Sequence, residues 1–226
     1  MSGNGKYLGF DCSGYPGDST MAWLWGHGFR ITGFYLNHGP GGEDDSWISR
    51  RALLANAGWG LAPLYLGRET VYVHGNHIPP PANPGPTAAT DAAEAMALMR
   101  KAGFAPGTTL YFDIEDGTTP SGLYLQYLTA WFAAVKAGGF NPAVYCSHLI
   151  NAWAAAQGLP HWCFHLTKPI GSGPYDPTAL PSASIDSGAV GVQFLQDTHM
   201  TGLPTQIDVS WFAVADPSNA RPAAAA

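Results

Sequence analysis

Eight short apolar segments, each ending in or beside a polar residue, constrain this 226-residue chain more than any other feature. They fall at residues 7–11, 30–36, 60–66, 109–113, 143–146, 162–166, 190–195 and 207–210. Several are continuous apolar runs instead of alternating ones, as expected of strands covered on both faces of a parallel sheet. Helical spacing lies between them. After Ser121, the residues Tyr124, Leu128, Trp131, Phe132 and Val135 form one apolar stripe. Residues 46–57 read as a second helix stopped by Gly58. Asp91 with Glu94 reads as the start of a third, running to Lys101 and stopped by Gly103. Eight strands alternating with helices predict an α/β fold, a single-domain (β/α)8 TIM-like barrel, which typically takes ~250 residues. An open doubly wound sheet is the runner-up, and no G-x-G-x-x-G or Walker-type loop supports a nucleotide-binding form of it.

Two stretches break the rhythm. Residues 67–86 contain Pro79, Pro80, Pro81, Pro84 and Pro86, and residues 168–188 are rich in Pro, Ser and Gly. Long loops of this kind in a compact domain are commonly functional. One domain is expected over residues 1–215, followed by a flexible low-complexity tail, 216–226. His74 and His77 have the spacing of a metal pair, but no third ligand accompanies them, and solvated loop histidines are the preferred reading.

Charge narrows the partners. Only 12% of residues are charged and the formal net charge is −6. That disfavours a nucleic-acid backbone or an anionic membrane surface. No apolar run approaches the ~20 residues of a membrane span, and residues 1–7 lack the basic and apolar regions of a signal peptide. Cys12, Cys146 and Cys163 are odd in number and are not spaced as zinc ligands. They are expected to be free, buried thiols lying in separate strand units.

In a (β/α)8 barrel the chemistry sits at the carboxyl ends of the strands. Asp11 ends the first segment, Asp113 and Glu115 end the fourth, and Asp208 lies in the last. The strand period of two puts Asp113 and Glu115 on one face, with Cα atoms ~6.7 Å apart. Two carboxyls held so repel each other's second charge, which keeps one protonated and one ionised. Glycoside hydrolysis needs that division of labour: an acid for the leaving oxygen and an anion for the developing positive charge. Apolar strands rarely end in buried acids without a reason. Tyr35, Tyr65, Tyr145, Trp162 and Phe194 lie near strand ends; each suits a core, and together they suit the walls of a sugar cleft. His161 and His165 flank one strand. Ser13 and Ser147 lack a G-x-S-x-G elbow, which argues against either as a nucleophile.

On these residues the chain resembles the bacterial glycoside-hydrolase-like domains long grouped as a domain of unknown function and related to the family 25 lysozymes. The resemblance spans Tyr7 to Phe212. It rests on Gly9-Phe10-Asp11, on Tyr111-Phe112-Asp113-Ile114-Glu115 with the Gly107 to Leu110 stretch before it, on Gln193-Phe194, and on Ile207-Asp208. It implies a (β/α) barrel that cleaves the β-1,4 bond after N-acetylmuramic acid. Glu115 is then similar to the general acid, and Asp113 to the carboxylate that steadies the acetamido group or the oxocarbenium. Asp11 and Asp208 match the supporting acids, and Gln193 joins Tyr35, Tyr65, Tyr145 and Trp162 as an expected substrate contact. Three features depart from the family pattern: Ser210 in Asp208-Val209-Ser210, where Asn is common; Phe194, where Tyr is frequent; and the Pro-rich 67–86 stretch. The expectation is a monomeric hydrolase of bacterial peptidoglycan, without metal or organic cofactor, acting at the cell wall or periplasm. The competing readings are a non-catalytic carbohydrate-binding module on the same scaffold and a hydrolase of another polysaccharide.

Overall fold

The computed structural model of the protein describes residues 6–68, 72–73, 76–77 and 79–220. Eight strands close into a barrel. They are β1 (Tyr7–Asp11), β2 (Phe29–Tyr35), β3 (Gly60–Leu66), β6 (Thr109–Ile114), β7 (Asn141–Ser147), β8 (His161–Phe164), β9 (Ala189–Thr198) and β10 (Ile207–Phe212). The short pair β4 (Tyr72–Val73) and β5 (Asn76–His77) stands apart from it. Around the barrel the order is β1-β10-β9-β8-β7-β6-β3-β2. Helices α1 (Asp18–Gly26), α2 (Asp45–Ile48), α3 (Arg51–Asn56), α4 (Pro84–Lys101), α5 (Gly122–Ala137) and α6 (Asn151–Ala156) make the crossovers except that from β8 to β9, where residues 165–188 hold no helix.

One strand departs from the all-parallel expectation. β10 runs antiparallel to both β9 and β1, whereas the other neighbouring pairs are parallel. Residues 199–206 join β9 to β10 without a helix, and a parallel return needs a dozen or more residues. The helices differ in their starts. The expected 46–57 helix is broken into α2 and α3. α4 begins at Pro84, seven positions before Asp91, because Pro is tolerated in a first turn where its missing N–H has no partner anyway. Asp91 is instead a buried mid-helix acid that accepts from Arg68 Nε (2.8 Å) and the Tyr127 hydroxyl (2.8 Å). That cluster ties the chain leaving β3 to α4 and α5. His74 lies outside the described residues.

The apolar runs serve two cores, one on each face of the sheet. Phe10, Phe34, Phe112, Val144 and Cys146 face the helices. Ile31, Ala62, Leu64, Tyr111, Ala143, Tyr145, Trp162 and Phe212 fill the lumen, so it is packed side chain and not a pore. Close approach explains two glycines. A Cβ on Gly9 or Gly191 would lie 2.6 Å from the Phe212 ring, which plugs the amino end of the barrel. The segment expected as a loose tail begins by closing that end too. The Ser218 carbonyl accepts from the Thr109 amide, the Pro217 carbonyl from the Tyr111 hydroxyl, and the Ala220 carbonyl from Arg51 Nη2. Ser218 and Ala220 are buried.

All three cysteines are free, with Cys146 and Cys163 buried and Cys12 half-buried. They are less separated than the sequence suggests. Cys146 and Cys163 are paired positions on adjacent strands, their sulfurs 3.9 Å apart. Thiol titration of the denatured protein without reductant is expected to count three; a count of one would mean that this pair is oxidised. No helix among the described residues is long and apolar enough to cross a membrane.

Candidate active site

The lumen changes character toward the carboxyl ends of the parallel strands. Its lower layers are apolar rings; its top layer is Asp11, Tyr35, Asp113, Tyr145, Gln193 and Asp208. Asp11 ends β1, and its paired residue across the sheet is Asp208. The reversal of β10 is what brings them together: the first residues of an antiparallel strand lie where its neighbours finish. Asp113 pairs with Tyr145 on β7, and Glu115 stands exposed just past the end of β6.

Hydrogen bonds link the set across the barrel. The Tyr35 hydroxyl donates to Asp11 Oδ1 (3.0 Å). The Tyr145 hydroxyl donates to Gln193 Oε1 (2.6 Å), and Gln193 Nε2 donates to Asp208 Oδ2 (3.2 Å). Asp208 Oδ1 accepts the Asp197 amide (2.7 Å). Gly33 lets β2 pass Asp11, since a Cβ there would lie 2.5 Å from the Asp11 Cβ.

Burial and crowding of like charge set the protonation of the site. Burial lifts the Asp11 carboxyl well above the usual range, and the charge of Asp208 adds to it. Asp208 is pushed up to about 7, chiefly by burial, against the opposing hydrogen bonds from the Asp197 amide and Gln193. Loss of water around its carboxyl also raises Glu115. The field of Glu115 reaches both Asp11 and Asp208. Burial, followed by the charges of Asp11 and Asp113, holds Tyr35 and Tyr145 as neutral hydroxyls. All four acids therefore share one electrostatic environment at one end of the barrel.

The expected sugar contacts divide three ways. Tyr35, Tyr145 and Gln193 belong to the top layer, and Tyr35 reaches the cleft. Trp162 lies deeper, fully buried between Tyr145 and Phe212, with its indole N–H on Ser210 Oγ (3.1 Å). It supports the site from below and does not wall it. Tyr65 faces the other way, its ring stacked on Trp131 and its hydroxyl on Glu94 Oε2 (3.0 Å). As an odd-numbered β3 residue it points to the helices, while Leu64 points to the lumen. Phe194 likewise stacks outward, on Trp211.

Other groups fall into place around these. His161 is buried with Nδ1 2.9 Å from the Leu159 carbonyl; His165 is exposed and stacks on His148. Ser147 Oγ accepts the Leu149 amide as a helix cap. Sequence reasoning missed Tyr15, Asp197 and Gln206. With Asp11, Tyr35 and Asp208 they line a cleft of about 500 Å³ between the loop after β1 and the β9–β10 turn. A signal existed for Tyr15, since a loop following the first barrel strand belongs to the site face.

Several known proteins share this architecture. The Tat-secreted protein Rv2525c of Mycobacterium tuberculosis, in complex with L-tartrate, is 18% identical, with a TM-score of 0.62 over 93% of this chain and 96% of that one. The lysozyme of Streptomyces coelicolor is 15% identical, with a TM-score of 0.60 over 91% of each chain. The modular autolysin LytC of Streptococcus pneumoniae, in complex with a synthetic peptidoglycan ligand, is 16% identical, with a TM-score of 0.65 over 94% of this chain and 48% of that one. At such identities the likeness is one of fold. No curated protein matches the chain. The model of the Rv2525c-like, glycoside hydrolase-like domain matches residues 22–186, well over half the length. The chain belongs to that family.

Proposed function

We propose that the protein hydrolyses the glycan of bacterial cell walls, with Glu115 as general acid and Asp113 as the carboxylate facing the developing positive charge. Asp11 and Asp208 support them, with Tyr35, Tyr145 and Gln193 as the framework that orients these groups. The observation that carries this reading is the convergence of four carboxyls from β1, β6 and β10 at one end of the barrel, with Glu115 raised. A raised acid keeps its proton nearer neutrality, where it can pass it to a departing glycosidic oxygen. The lysozyme and autolysin among proteins of the same fold support a peptidoglycan substrate, and the secreted mycobacterial neighbour supports action outside the cytoplasm.

Purified peptidoglycan supplies the test. Incubation with the protein is expected to lower wall turbidity and to release muropeptides whose masses show reducing N-acetylmuramic acid ends with intact peptide stems. Release of reducing ends from another polysaccharide alone would move the substrate elsewhere. Binding to walls without any release would make the protein a carbohydrate-binding module.

A further inference from the structure

The cleft beside Asp11 and Asp208 has an unusual chemical lining. Three acidic residues line it, Asp11, Asp197 and Asp208, together with Tyr15, Tyr35 and Gln206, the Tyr15 hydroxyl donating to Asp18 Oδ1 (2.6 Å). No Lys or Arg is among the residues around it. The guanidinium of Arg50 lies over the Tyr15 ring, 5.2 Å from its centroid, and pairs with Asp18 at 3.7 Å. His199 backs Gln206 at 3.0 Å.

The carboxyls differ in how far they are satisfied. Both oxygens of Asp208 accept hydrogen bonds, from the Asp197 amide and from Gln193. Asp11 is only 2% exposed; its Oδ1 takes the Tyr35 hydroxyl, while its Oδ2 has no partner among the described residues. A buried carboxyl oxygen without a partner is destabilising unless a ligand or water completes it. Asp11 lines a cavity whose other charged residues are also acidic. Such a cavity disfavours a carboxylate, and a neutral acetamido group brings it one N–H donor and no charge. An ammonium group offers three donors and the matching charge.

We infer that this cleft is a subsite for an ammonium group carried by the ligand, the free amine of a de-N-acetylated amino sugar or of a diamino acid in a wall peptide. That the ligand comes from the wall rests on the proposed function; the preference for ammonium does not. A cation there favours ionised carboxyls, so binding expels a proton from the cluster wherever it is still protonated. With Asp208 pushed up to about 7, that release is largest on the acid side of neutrality.

Calorimetric titration at pH 6 tests the inference with three probes: glucosamine tetramer, N-acetylglucosamine tetramer, and a stem tripeptide ending in diaminopimelate. The glucosamine tetramer is expected to bind at least ~10-fold tighter than its N-acetylated counterpart, a difference of about 1.4 kcal/mol. Its heat should vary with the ionisation enthalpy of the buffer, reporting the released proton. Tight binding of the tripeptide instead would identify the peptide amine as the source of the same chemistry. Asp197→Asn should collapse the preference. Asp197 sits at φ 50°, a conformation Asn tolerates, and its amide bond to Asp208 is kept. Asp186→Asn, on the loop entering β9 and outside the residues that line the cleft, removes the same net charge and should leave the preference intact. Equal affinities for all probes, or a preference that Asp197→Asn does not move, would overturn the subsite. Wall cleavage without the preference defeats the subsite alone. The preference without cleavage defeats the hydrolase reading and leaves the subsite standing.

Discussion

Glu115→Gln is expected to cut the turnover of wall glycan by ~10²–10⁴, with wall binding and thermal midpoint close to wild type. Gln keeps the shape and the hydrogen-bonding reach of Glu but has no proton to give a departing oxygen. The position favours a clean result: Glu115 lies exposed beyond the end of β6, so little packing depends on it. The loss should fall on kcat, because the proton moves only in the transition state. The pH profile of the wild type carries the same signature. Loss of water around Glu115 raises its carboxyl, so the alkaline limb of kcat/KM should lie above the ordinary range for a glutamate. Ser147→Ala serves as the contrast; its hydroxyl caps a turn and should be dispensable for turnover. If Glu115→Gln cleaves at the wild-type rate, the acid lies elsewhere in the cluster.

What the sequence disclosed and what it withheld follow from which interactions are local. Strand positions were legible because each strand is a short apolar run between turn residues; β1 and β3 match their expected limits, and the rest differ by a few positions. The direction of β10 was harder to read. It depends on whether residues 199–206 hold a helix, and the count alone, too short for a crossover, was the available clue. The strand-end position expected for Asp208 rests on a parallel strand, whereas only a reversed one puts the start of β10 beside Asp11. Tyr65 and Trp162 show a second limit. A run such as Gly60–Leu66 is apolar on both faces, so no alternation tells lumen from helix side, and nothing local tells the depth of a lumen residue such as Trp162. Asp197 and Gln206 were invisible for a third reason. They matter through a cleft made by two connections distant in sequence, the loop after β1 and the β9–β10 turn.

Wild-type protein is expected to lose stability as pH rises from 5 to 8.5, and Asp208→Asn should remove much of that loss. Asp208 is pushed up to about 7 in the folded protein, against an ordinary value of 3.8. Below the ordinary value both states hold the proton, and the group contributes nothing. Between the two values the folded state keeps a proton that the unfolded chain has already released, so stability falls as pH rises. Above about 7 both states are ionised and the full penalty applies. At about 1.36 kcal/mol per pH unit over the part of this window above pH 5, and allowing for some screening at a partly buried group, the loss is about 2–3 kcal/mol. Asn at this position retains an oxygen for the Asp197 amide and carries no charge against Asp11, Asp197 or Glu115. At pH 8.5 the variant should then melt roughly 4–12 °C above wild type, with a much smaller difference at pH 5. Its turnover of wall glycan should fall at the same time, since Asp208 is one of the acids proposed to support the site. Differential scanning calorimetry of both proteins across this range decides the matter. A wild type that grows more stable toward pH 8.5, or a variant less stable than wild type there, would mean that the Asp11–Asp208 pair is held together by attractive contacts and not by enforced proximity.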